Sequence, residues 1–297
     1  MFSDFLLRRY DELFDEETVL GLKARLDRSI RINTLKISEN DLIQRLGNKG
    51  IKLQKVPWTR HGYFVKESPF SMGSTTEYLL GHYFLQDPTS MYACEVLDPK
   101  GDEVVLDMAA APGGKTTYLA QLMRNCGTVV AIELNRQRMK SLRSNVTRMG
   151  VENVIAIRMD ALKVGGLKIE FDKILLDAPC TGTGTVFKNP DAMEKEEADV
   201  KHCTSLQRSL LGAAIGVLKE NGILVYCTCS MLPEENELMM QNALDNFDLE
   251  LEDIPDGEEA FSYVYDIALS DDMKKAKRFY PHIHYTQGFF LAKLRKI

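Results

Sequence analysis

The sequence has neither a long apolar run nor the start of a secreted protein. No stretch approaches the roughly 18 apolar residues that a membrane-spanning helix requires. Near the amino terminus, the acidic Asp4 precedes Arg8 and Arg9, which is the reverse of the charge order in a secretory signal peptide. We therefore expect a cytoplasmic protein that has no membrane partner.

Cysteine pairs at metal-binding spacing are also missing. A structural zinc site or a dense disulfide framework needs closely and regularly spaced cysteines, such as a Cys-x-x-Cys pair. In this chain the cysteines are scattered: Cys94, Cys126, Cys180, Cys203, Cys227 and Cys229. The pattern predicts free thiols in a reducing compartment and no bound metal.

The third absence is an excess of positive charge. The chain has 37 Lys and Arg against 43 Asp and Glu, a net charge of −6, whereas a tight binder of duplex nucleic acid is usually basic. Two local basic clusters could nevertheless form an RNA-binding surface. The alternative is that each is an ordinary solvated face. They are Lys23, Arg25, Arg28 and Arg31, and Lys274, Lys275, Lys277 and Arg278.

The hydrophobic patterns divide the chain at about residue 95. Residues 1–95 mix helical and strand patterns, among them an alternating strand over 29–34 that should be half-buried. Residues 96–297 alternate strands with helices, which is typical of a parallel sheet covered by helices. We expect an α/β fold with a small N-terminal α+β domain (1–95) and a larger domain (96–297).

The larger domain is predicted to contain a series of strands joined by helices, the first of them buried. The strands are predicted at 104–106, 128–132, 154–157, 173–176 and 223–227. The long helices are predicted at 115–125, 136–149 and 201–219. A closing strand at 288–292 is expected to form an edge hairpin.

Candidate binding groups follow four of these strands at their carboxyl ends. They are the turn 107–115, Glu133, Asp160 and Asp177. Because ligands bind beyond this edge in an open parallel sheet, we expect the four groups to serve one site. Each acid taken alone is more simply explained as a strand-end cap, so it is their joint placement that indicates a ligand.

The turn is rich in small residues and can be compared with three kinds of nucleotide site. A phosphate-binding loop fits at 114–116, but its first glycine is replaced by Ala109, and the Gly-x-Gly-x-x-Gly fingerprint of dinucleotide sites is absent. S-adenosylmethionine needs no pyrophosphate cradle. Glu133 suits its ribose hydroxyls and Asp160 suits its adenine, so we expect S-adenosylmethionine as the cofactor.

Two cysteines differ from the other four in their position. Cys180 and Cys229 each lie just past a predicted strand end, beside Gly, Pro, Thr or Ser, whereas the others are expected to be buried core residues. A thiolate that adds to carbon 6 of cytosine makes carbon 5 nucleophilic enough to accept a methyl group. An acid near ring nitrogen 3 and a base for the carbon 5 proton are also needed. The two cysteines therefore indicate covalent methylation of cytosine.

Three stretches resemble the Nop/Sun family of S-adenosylmethionine-dependent RNA cytosine-5 methyltransferases. They are DMAAAPGGKT (107–116), DAPCTGTG (177–184) and YCTCS (226–230), the last followed by PEEN (233–236). The segments 84–91 and 288–290 also match, and the resemblance spans most of the chain from about residue 29. It implies a Rossmann-like methyltransferase sheet and an RNA-recognition-like fold for the N-terminal domain.

The resemblance also implies roles for particular residues. Cys229 is implied as the nucleophile and Cys180 as the group that assists product release. Asp177 is implied as the acid that faces ring nitrogen 3, and Lys115 as a contact to the target nucleotide. The residues implied to bind or border the cofactor are Ala109, Ala110, Ala111, Pro112, Gly113, Gly114, Lys115, Glu133, Arg138, Asp160 and Asp177. Ala109 departs from the family, which often has cysteine at that position.

The substrate is left with more than one candidate. Compact members of the family resemble archaeal enzymes that act on transfer RNA, and we expect no appended RNA-binding domain after residue 297. Transfer RNA is therefore the expected substrate, bound by a monomer with its target cytosine unpaired or flipped out. Ribosomal RNA, or a non-catalytic RNA-binding role, stays open, although Cys180 and Cys229 argue against the latter.

Overall fold

The computed structural model describes residues 2–297, which form two compact units. The central unit comprises residues 27–163 and 171–175. The terminal unit comprises residues 2–26, 164–170 and 176–297. These units are defined by compactness. The division expected from the sequence, into an N-terminal domain (1–95) and a larger domain (96–297), stays a prediction.

Helices and strands are interspersed along the whole of residues 2–297. The first part of the chain contains α1 (Asp4–Leu13), α2 (Glu16–Gly21), β1 (Arg28–Ile32), α3 (Glu39–Gly47), β2 (Lys52–Lys55), β3 (Gly62–Glu67), α4 (Thr76–Leu79) and β4 (Tyr83–Leu85). The middle part contains α5 (Pro88–Leu97), β5 (Val104–Asp107), α6 (Gly114–Leu122), β6 (Thr128–Ile132), α7 (Arg136–Met149), β7 (Val154–Ile157) and β8 (Phe171–Asp177). The last part contains α8 (Glu197–Ile215), β9 (Leu218–Thr228), α9 (Glu237–Asn246), β10 (Leu249–Glu252), β11 (Glu258–Glu259), β12 (Tyr263–Val264), β13 (Ile267–Ala268), β14 (Lys277–Phe279), α10 (Pro281–His284) and β15 (Phe289–Lys296).

The central unit contains an antiparallel sheet of order β2-β3-β1-β4. Ile30 and Ile32 of β1 pack with Leu42 and Leu46 of α3, which is why the apolar positions of both elements are spaced as they are. The predicted strand is confirmed, but its half-exposed face is not. Arg31, on the other face of β1, is fully buried as well.

Strands β8, β5, β6 and β7 lie side by side in this order and pair in parallel. Leu106 of β5 is paired with Val130 on one side and with Ile174 on the other. Each strand is followed by a return segment that brings the next strand back in parallel, as the alternating pattern predicted. This Rossmann-like α/β arrangement confirms the predicted fold class.

Helix α7 shows how local signals set the bounds of an element. The Asn135 side chain accepts the backbone N–H groups of Gln137 and Arg138, which caps the start of the helix. Gly150 ends it in the left-handed conformation, with φ 69°. The bounds of α7 and of β7 agree with the predicted ones.

In the terminal unit, β15 lies between β9 and β14 and pairs antiparallel with both. The expectation of an edge hairpin at 288–292 is therefore wrong. Strand β10 also pairs with β15, over Leu249–Glu252. The start of β15 is buried on both of its faces, which explains why an inner position suits its continuous apolar run.

Helices α1 and α2 belong to the terminal unit. Phe5, Leu6 and Tyr10 of α1 join a core cluster with Val186 and Met231. Their apolar residues are therefore buried against the last third of the chain, a pairing that local periodicity does not reveal. Across residues 2–297, the helices are too short or too polar to cross a bilayer.

Candidate active site

The turn after β5 is fixed by hydrogen bonds to its own surroundings. Thr116 Oγ1 donates to Asp107 Oδ2 at 2.7 Å and lies 3.3 Å from the carbonyl oxygen of Ala110. The N–H of Ala110 donates at 2.9 Å to the carbonyl of Ile132, the last residue of β6. The turn is thus held beyond the carboxyl ends of two neighbouring strands, as predicted for a ligand-binding turn.

Gly113 allows this turn to enter helix α6. It has φ 104°, in the region that side chains disfavour, and a Cβ at this position would come within 3.1 Å of Leu142 Cδ1. As the residue that caps the helix, it offers no side chain to the first N–H groups of α6. The amino-terminal end of α6 therefore has donor groups that no capping side chain occupies.

Glu133 follows β6 and is tied to the turn through Arg138. Its carboxylate is 5 % exposed, accepts the N–H of Asn135 at 2.7 Å and lies 3.6 Å from Arg138 Nη1. Arg138 Nη2 donates to the carbonyl of Ala111 at 2.6 Å. Glu133 thus caps a strand end, and Arg138 fastens α7 to the turn.

Asp160 lies beyond the neighbouring strand. The N–H of Glu133 donates to the carbonyl of Ile157 at 3.2 Å, so β6 and β7 end side by side. Three residues further on, Asp160 is half-buried and its Oδ1 accepts the N–H of Leu162 at 3.0 Å. Both acids therefore have structural bonds of their own in addition to any role toward a ligand.

Lys115 is the first polar residue of α6 after the turn. Its ammonium group lies 3.3 Å from Ser90 Oγ of α5, and its carbonyl accepts the thiol of Cys94 at 3.7 Å. Helix α5, which the sequence patterns did not predict, thus helps to orient Lys115.

The terminal unit brings Cys180 and Cys229 together. Their sulfur atoms are 3.3 Å apart, and both cysteines are free thiols. The N–H of Ala178, just past β8, donates at 2.9 Å to the carbonyl of Cys227, so the ends of β8 and β9 adjoin. The thiol of Cys227 also lies 3.6 Å from Asp177 Oδ1. The two segments that carry the predicted catalytic residues therefore meet in one place.

The two thiols do not have equal surroundings. The contact with Cys229, together with burial, raises the pKa of Cys180 well above its ordinary value. Cys180 is therefore a protonated thiol at neutral pH, able to donate to Cys229. Such a thiol can take part in proton transfer to or from a reacting group.

The buried carboxylate of Glu235 holds the Cys180 segment. Glu235 is fully buried, and it accepts the N–H of Thr181 at 2.9 Å, the Thr181 hydroxyl at 2.5 Å and Gln207 Nε2 at 2.9 Å. Gln207 donates also to the carbonyl of Pro179 at 2.9 Å. Residues on both sides of Cys180 are thereby fixed to one acid.

A second set of bonds fixes the Cys229 segment. Asn236 Nδ2 donates to the carbonyl of Ser230 at 2.9 Å, and the Thr228 hydroxyl donates to Asn236 Oδ1 at 2.6 Å. The Ser230 hydroxyl lies 3.2 Å from that of Thr183. Glu235 and Asn236 were named in the resemblance without a role, and Glu234 looks equivalent to Glu235 in the sequence. Burial distinguishes the two acids.

The other cysteines fit the core expectation only in part. Cys94 and Cys227 are buried, Cys203 is half-buried, and Cys126 is exposed. The expectation of a buried core residue is therefore wrong for Cys126, which lies in the turn before β6. Burial raises the pKa of Cys203 to about 11.

One arginine of each predicted basic cluster is buried in the interior. Arg31 donates to Gln86 Oε1 and to the carbonyl of Gly114, both at 2.6 Å. Arg278 is 1 % exposed and forms a two-bond ion pair with Glu237. Neither arginine forms part of a basic surface. Within residues 2–297, no three potential metal ligands lie together in a group that could hold an ion.

Comparison with protein families covers nearly the whole chain. Residues 94–295 match the family described as 16S rRNA methyltransferase RsmB/F. Residues 5–88 match the N-terminal domain of 16S rRNA methyltransferase RsmF.

Curated relatives match the chain over almost its full length. A 28S rRNA (cytosine-C(5))-methyltransferase from Mus musculus is 41 % identical over 309 residues, covering 99 % of this chain and 39 % of the relative. A ribosomal RNA small subunit methyltransferase F from Vibrio parahaemolyticus is 37 % identical over 299 residues, covering 95 % and 59 %. The chain thus spans about half the length of the curated relatives it matches.

Solved structures share the fold at higher mutual coverage. A methyltransferase homologue from Pyrococcus horikoshii superposes with a TM-score of 0.93 at 47 % identity, covering 100 % of this chain and 96 % of that one. NSun6 from the same organism, solved with SFG, has a TM-score of 0.88 at 29 % identity, with coverage of 99 % and 98 %. The chain belongs to the Nop/Sun family of S-adenosylmethionine-dependent RNA cytosine-5 methyltransferases, as the resemblance in its sequence had indicated.

Proposed function

We propose that the protein transfers a methyl group from S-adenosylmethionine to carbon 5 of a cytosine in RNA, with Cys229 as the covalent nucleophile. The observation that carries this proposal is the pair of free thiols, Cys180 and Cys229, 3.3 Å apart. A protein that only binds RNA needs neither thiol.

The chemistry assigns a different task to each thiol. The Cys229 thiolate adds to carbon 6 of cytosine, and carbon 5 then takes the methyl group. When the proton is removed from carbon 5, the electrons of that C–H bond form the double bond between carbons 5 and 6 as the bond between carbon 6 and sulfur breaks, which releases Cys229 and the product. Cys180, a protonated thiol in contact with Cys229, is proposed to assist this release: its own proton passes to the departing Cys229 sulfur, and its sulfur takes the proton from carbon 5 in exchange.

The remaining catalytic assignments concern Asp177 and Lys115. Asp177 is proposed to face ring nitrogen 3, where charge develops after attack. The half-buried Asp177 carboxylate already accepts the Cys227 thiol, so its orientation is set before substrate arrives. Lys115, oriented by Ser90, is proposed to contact the target nucleotide.

The central unit has side chains and backbone groups that suit S-adenosylmethionine, which supplies the methyl group. The turn 109–113 consists of small residues and proline, so a ligand can approach its backbone closely. The uncapped start of α6 suits the carboxylate of an amino-acid group, and Glu133 can accept from ribose hydroxyls. Asp160 and Arg138 are proposed to border the site. SFG, present in the NSun6 structure, is an analogue of this cofactor.

Ribosomal RNA is the substrate that the relatives' names favour. The matched enzymes from mouse, fission yeast and Vibrio are each named for ribosomal RNA. Transfer RNA, expected from the sequence, stays a prediction beside it. We also propose that the protein acts in the cytoplasm. We propose further that it is a monomer, and size-exclusion chromatography with light scattering would test this oligomeric state.

The test is transfer of labelled methyl from S-adenosylmethionine to bulk ribosomal RNA and, separately, to bulk transfer RNA. Wild type is compared with Cys229→Ala, Cys229→Ser and the matched control Cys126→Ser, which changes an exposed thiol. Label recovered as 5-methylcytosine from wild type and from the control, and lost in both Cys229 variants, is the expected result. No label on either RNA would contradict the proposed reaction and favour a non-catalytic role.

A further inference from the structure

Helix α7 carries positive charge without any compensating acid. Its 14 residues contain no Asp or Glu, and they include Arg136, Arg138, Lys140, Arg143 and Arg148. The chain as a whole has a net charge of −6, so the helix departs from the overall composition. Arg136 is the first helical residue, where the helix dipole favours an acidic side chain. Helix stability therefore does not explain its charge.

Three of these cations lie along one exposed face. Arg136, Lys140 and Arg143 are separated by four and three residues, which places them on the same side of a helix, and all three are exposed. Arg138 and Arg148 instead donate to backbone carbonyls. Within residues 2–297, the three cations of this α7 basic face make neither an ion pair nor a side-chain hydrogen bond.

The exposed uncharged side chains of α7 have the polar chemistry that accompanies cations at an RNA backbone. They are Gln137, Ser141, Ser144 and Thr147. Phosphate oxygens and ribose hydroxyls are bound by Arg and Lys together with hydroxyl and amide side chains. An acidic protein would pair with the cations but would not require this polar surround.

The helix is rigidly connected to the turn that follows β5. Asn145 Nδ2 donates to the carbonyl of Pro112 at 2.9 Å, and Arg138 donates to the carbonyl of Ala111 at 2.6 Å. The buried side of α7 packs Leu142 in the same core cluster as Ala110 and Ala111. Any strand held by the basic face is therefore held at a defined place relative to this turn.

We propose that the α7 basic face, formed by Arg136, Lys140 and Arg143, binds the phosphate backbone of the substrate RNA outside the target nucleotide. The inference rests on the proposed function for its RNA substrate. The three cations span about 10 Å of helix, from a rise of about 1.5 Å per residue, which suits successive phosphates. These contacts supply affinity and orientation that do not depend on base sequence.

The test is a filter-binding titration of an in vitro transcribed ribosomal RNA hairpin with an unpaired cytosine, at about 50 to about 200 mM salt. The variant is the triple substitution Arg136→Gln, Lys140→Gln and Arg143→Gln. We expect its affinity at low salt to fall roughly 10-fold or more. The slope of log affinity against log salt should decrease by about 2, since each single-strand phosphate contact contributes about 0.7.

Three controls make the result specific. The triple substitution Lys163→Gln, Lys168→Gln and Lys201→Gln removes the same charge from exposed positions elsewhere, and it should leave affinity and slope close to wild type. The exchange Arg136→Lys with Arg143→Lys keeps the charge and should bind like wild type. If the triple α7 variant unfolds, the single substitutions Arg136→Gln and Lys140→Gln replace it, each lowering the slope by about 0.7.

The outcomes separate this proposal from the proposed function. An unchanged affinity and slope in the α7 variant would overturn the inference, whatever the methylation assay gives. Binding to polyglutamate is measured as well. If the triple α7 variant loses affinity for polyglutamate but keeps its affinity for RNA, the face is assigned to an acidic protein, and the inference is again overturned. Wild-type protein that binds RNA through α7 without methylating it would instead contradict the proposed function and support this inference.

Discussion

The sulfur atoms of Cys180 and Cys229 lie 3.3 Å apart, although 49 residues separate them in the chain. Each follows the end of a different strand, and the backbone bond between Ala178 and Cys227 joins those strand ends. A pair so close can act in turn on one substrate atom and its neighbour.

Replacing Cys180 with Ala is expected to trap the covalent intermediate. The Cys229 adduct can still form, but the group that assists its breakdown is gone. A protein–RNA band should therefore survive denaturing electrophoresis, and it should be absent in wild type. The double substitution Cys180→Ala with Cys229→Ala is the control and should give no band. A band that persists in the double variant would show that another residue makes the bond.

Replacing Glu235 with Gln should destabilise the fold around both thiols. The carboxylate accepts three bonds from Thr181 and Gln207, and an amide would set a donor against these donors. We expect a loss of about 3 kcal/mol in the free energy of unfolding, measured by urea titration. Glu234→Gln, in the neighbouring and partly exposed position, should cost clearly less. Equal costs would contradict the central role of Glu235 in holding this segment.

The buried pair of Arg278 and Glu237 predicts a strongly non-additive pair of substitutions. Both side chains are essentially inaccessible to solvent, so Arg278→Met alone leaves a buried charge uncompensated. We expect a loss of about 3–5 kcal/mol for that single change. The double substitution Arg278→Met with Glu237→Leu should recover most of it. Additive costs in a double-mutant cycle would rule out strong coupling between the two side chains.

Gly113→Ala should weaken the binding of S-adenosylmethionine, because its effect is concentrated in the turn after β5. The added Cβ meets Leu142 at 3.1 Å, and the backbone is in the left-handed region, so the turn must shift. We expect calorimetry to give a roughly 10-fold larger dissociation constant for S-adenosylmethionine, equivalent to a loss of about 1.4 kcal/mol in binding free energy. Gly165→Ala, where a Cβ would meet nothing within 4 Å, is the matched control and should bind like wild type.

The pH dependence of stability should include a contribution from Glu252. Partial burial acts to raise its pKa, but the bonds from Lys293 and Arg295 outweigh it and hold the pKa below its ordinary value. The charged carboxylate therefore stabilises the fold at neutral pH, and this stabilisation is lost as pH falls below the ordinary glutamate range. Glu252→Gln should lower the free energy of unfolding at pH 7 and converge with wild type in acid.

Glu170→Gln provides the comparison for this pH series. Glu170 is exposed and makes no ion pair within residues 2–297, so its replacement should leave the dependence of stability on pH close to wild type. A difference between wild type and Glu252→Gln that stays constant from neutral to acid pH would contradict the assigned role of the ion pairs.

Local patterns were sufficient wherever a residue's role depends on its neighbours in the chain. The cap at Asn135, the apolar spacing of α7 and the short apolar runs of β5, β6 and β7 are all local properties, so those elements were predicted closely. The positions of Glu133 and Asp160 beyond strand ends, and of Asp177 at the end of β8, follow from such runs. The motifs around Cys180 and Cys229 were specific enough to indicate the family.

Long-range contacts set the features that the patterns did not reveal. Arg31 and Arg278 look like surface cations in the sequence. In the folded protein both are buried, and they donate hydrogen bonds to Gln86 and Glu237, respectively. Strand β15 resembles an edge strand until β14 pairs with its outer side.

Glu235 is the clearest case. It differs from Glu234 only through the residues that the fold brings around it. Composition and spacing state which side chains are present and in what order, and so they predict elements and motifs. Burial and hydrogen bonding join residues far apart in the chain, so the pairing of the thiols and the acid that holds them depend on the folded arrangement.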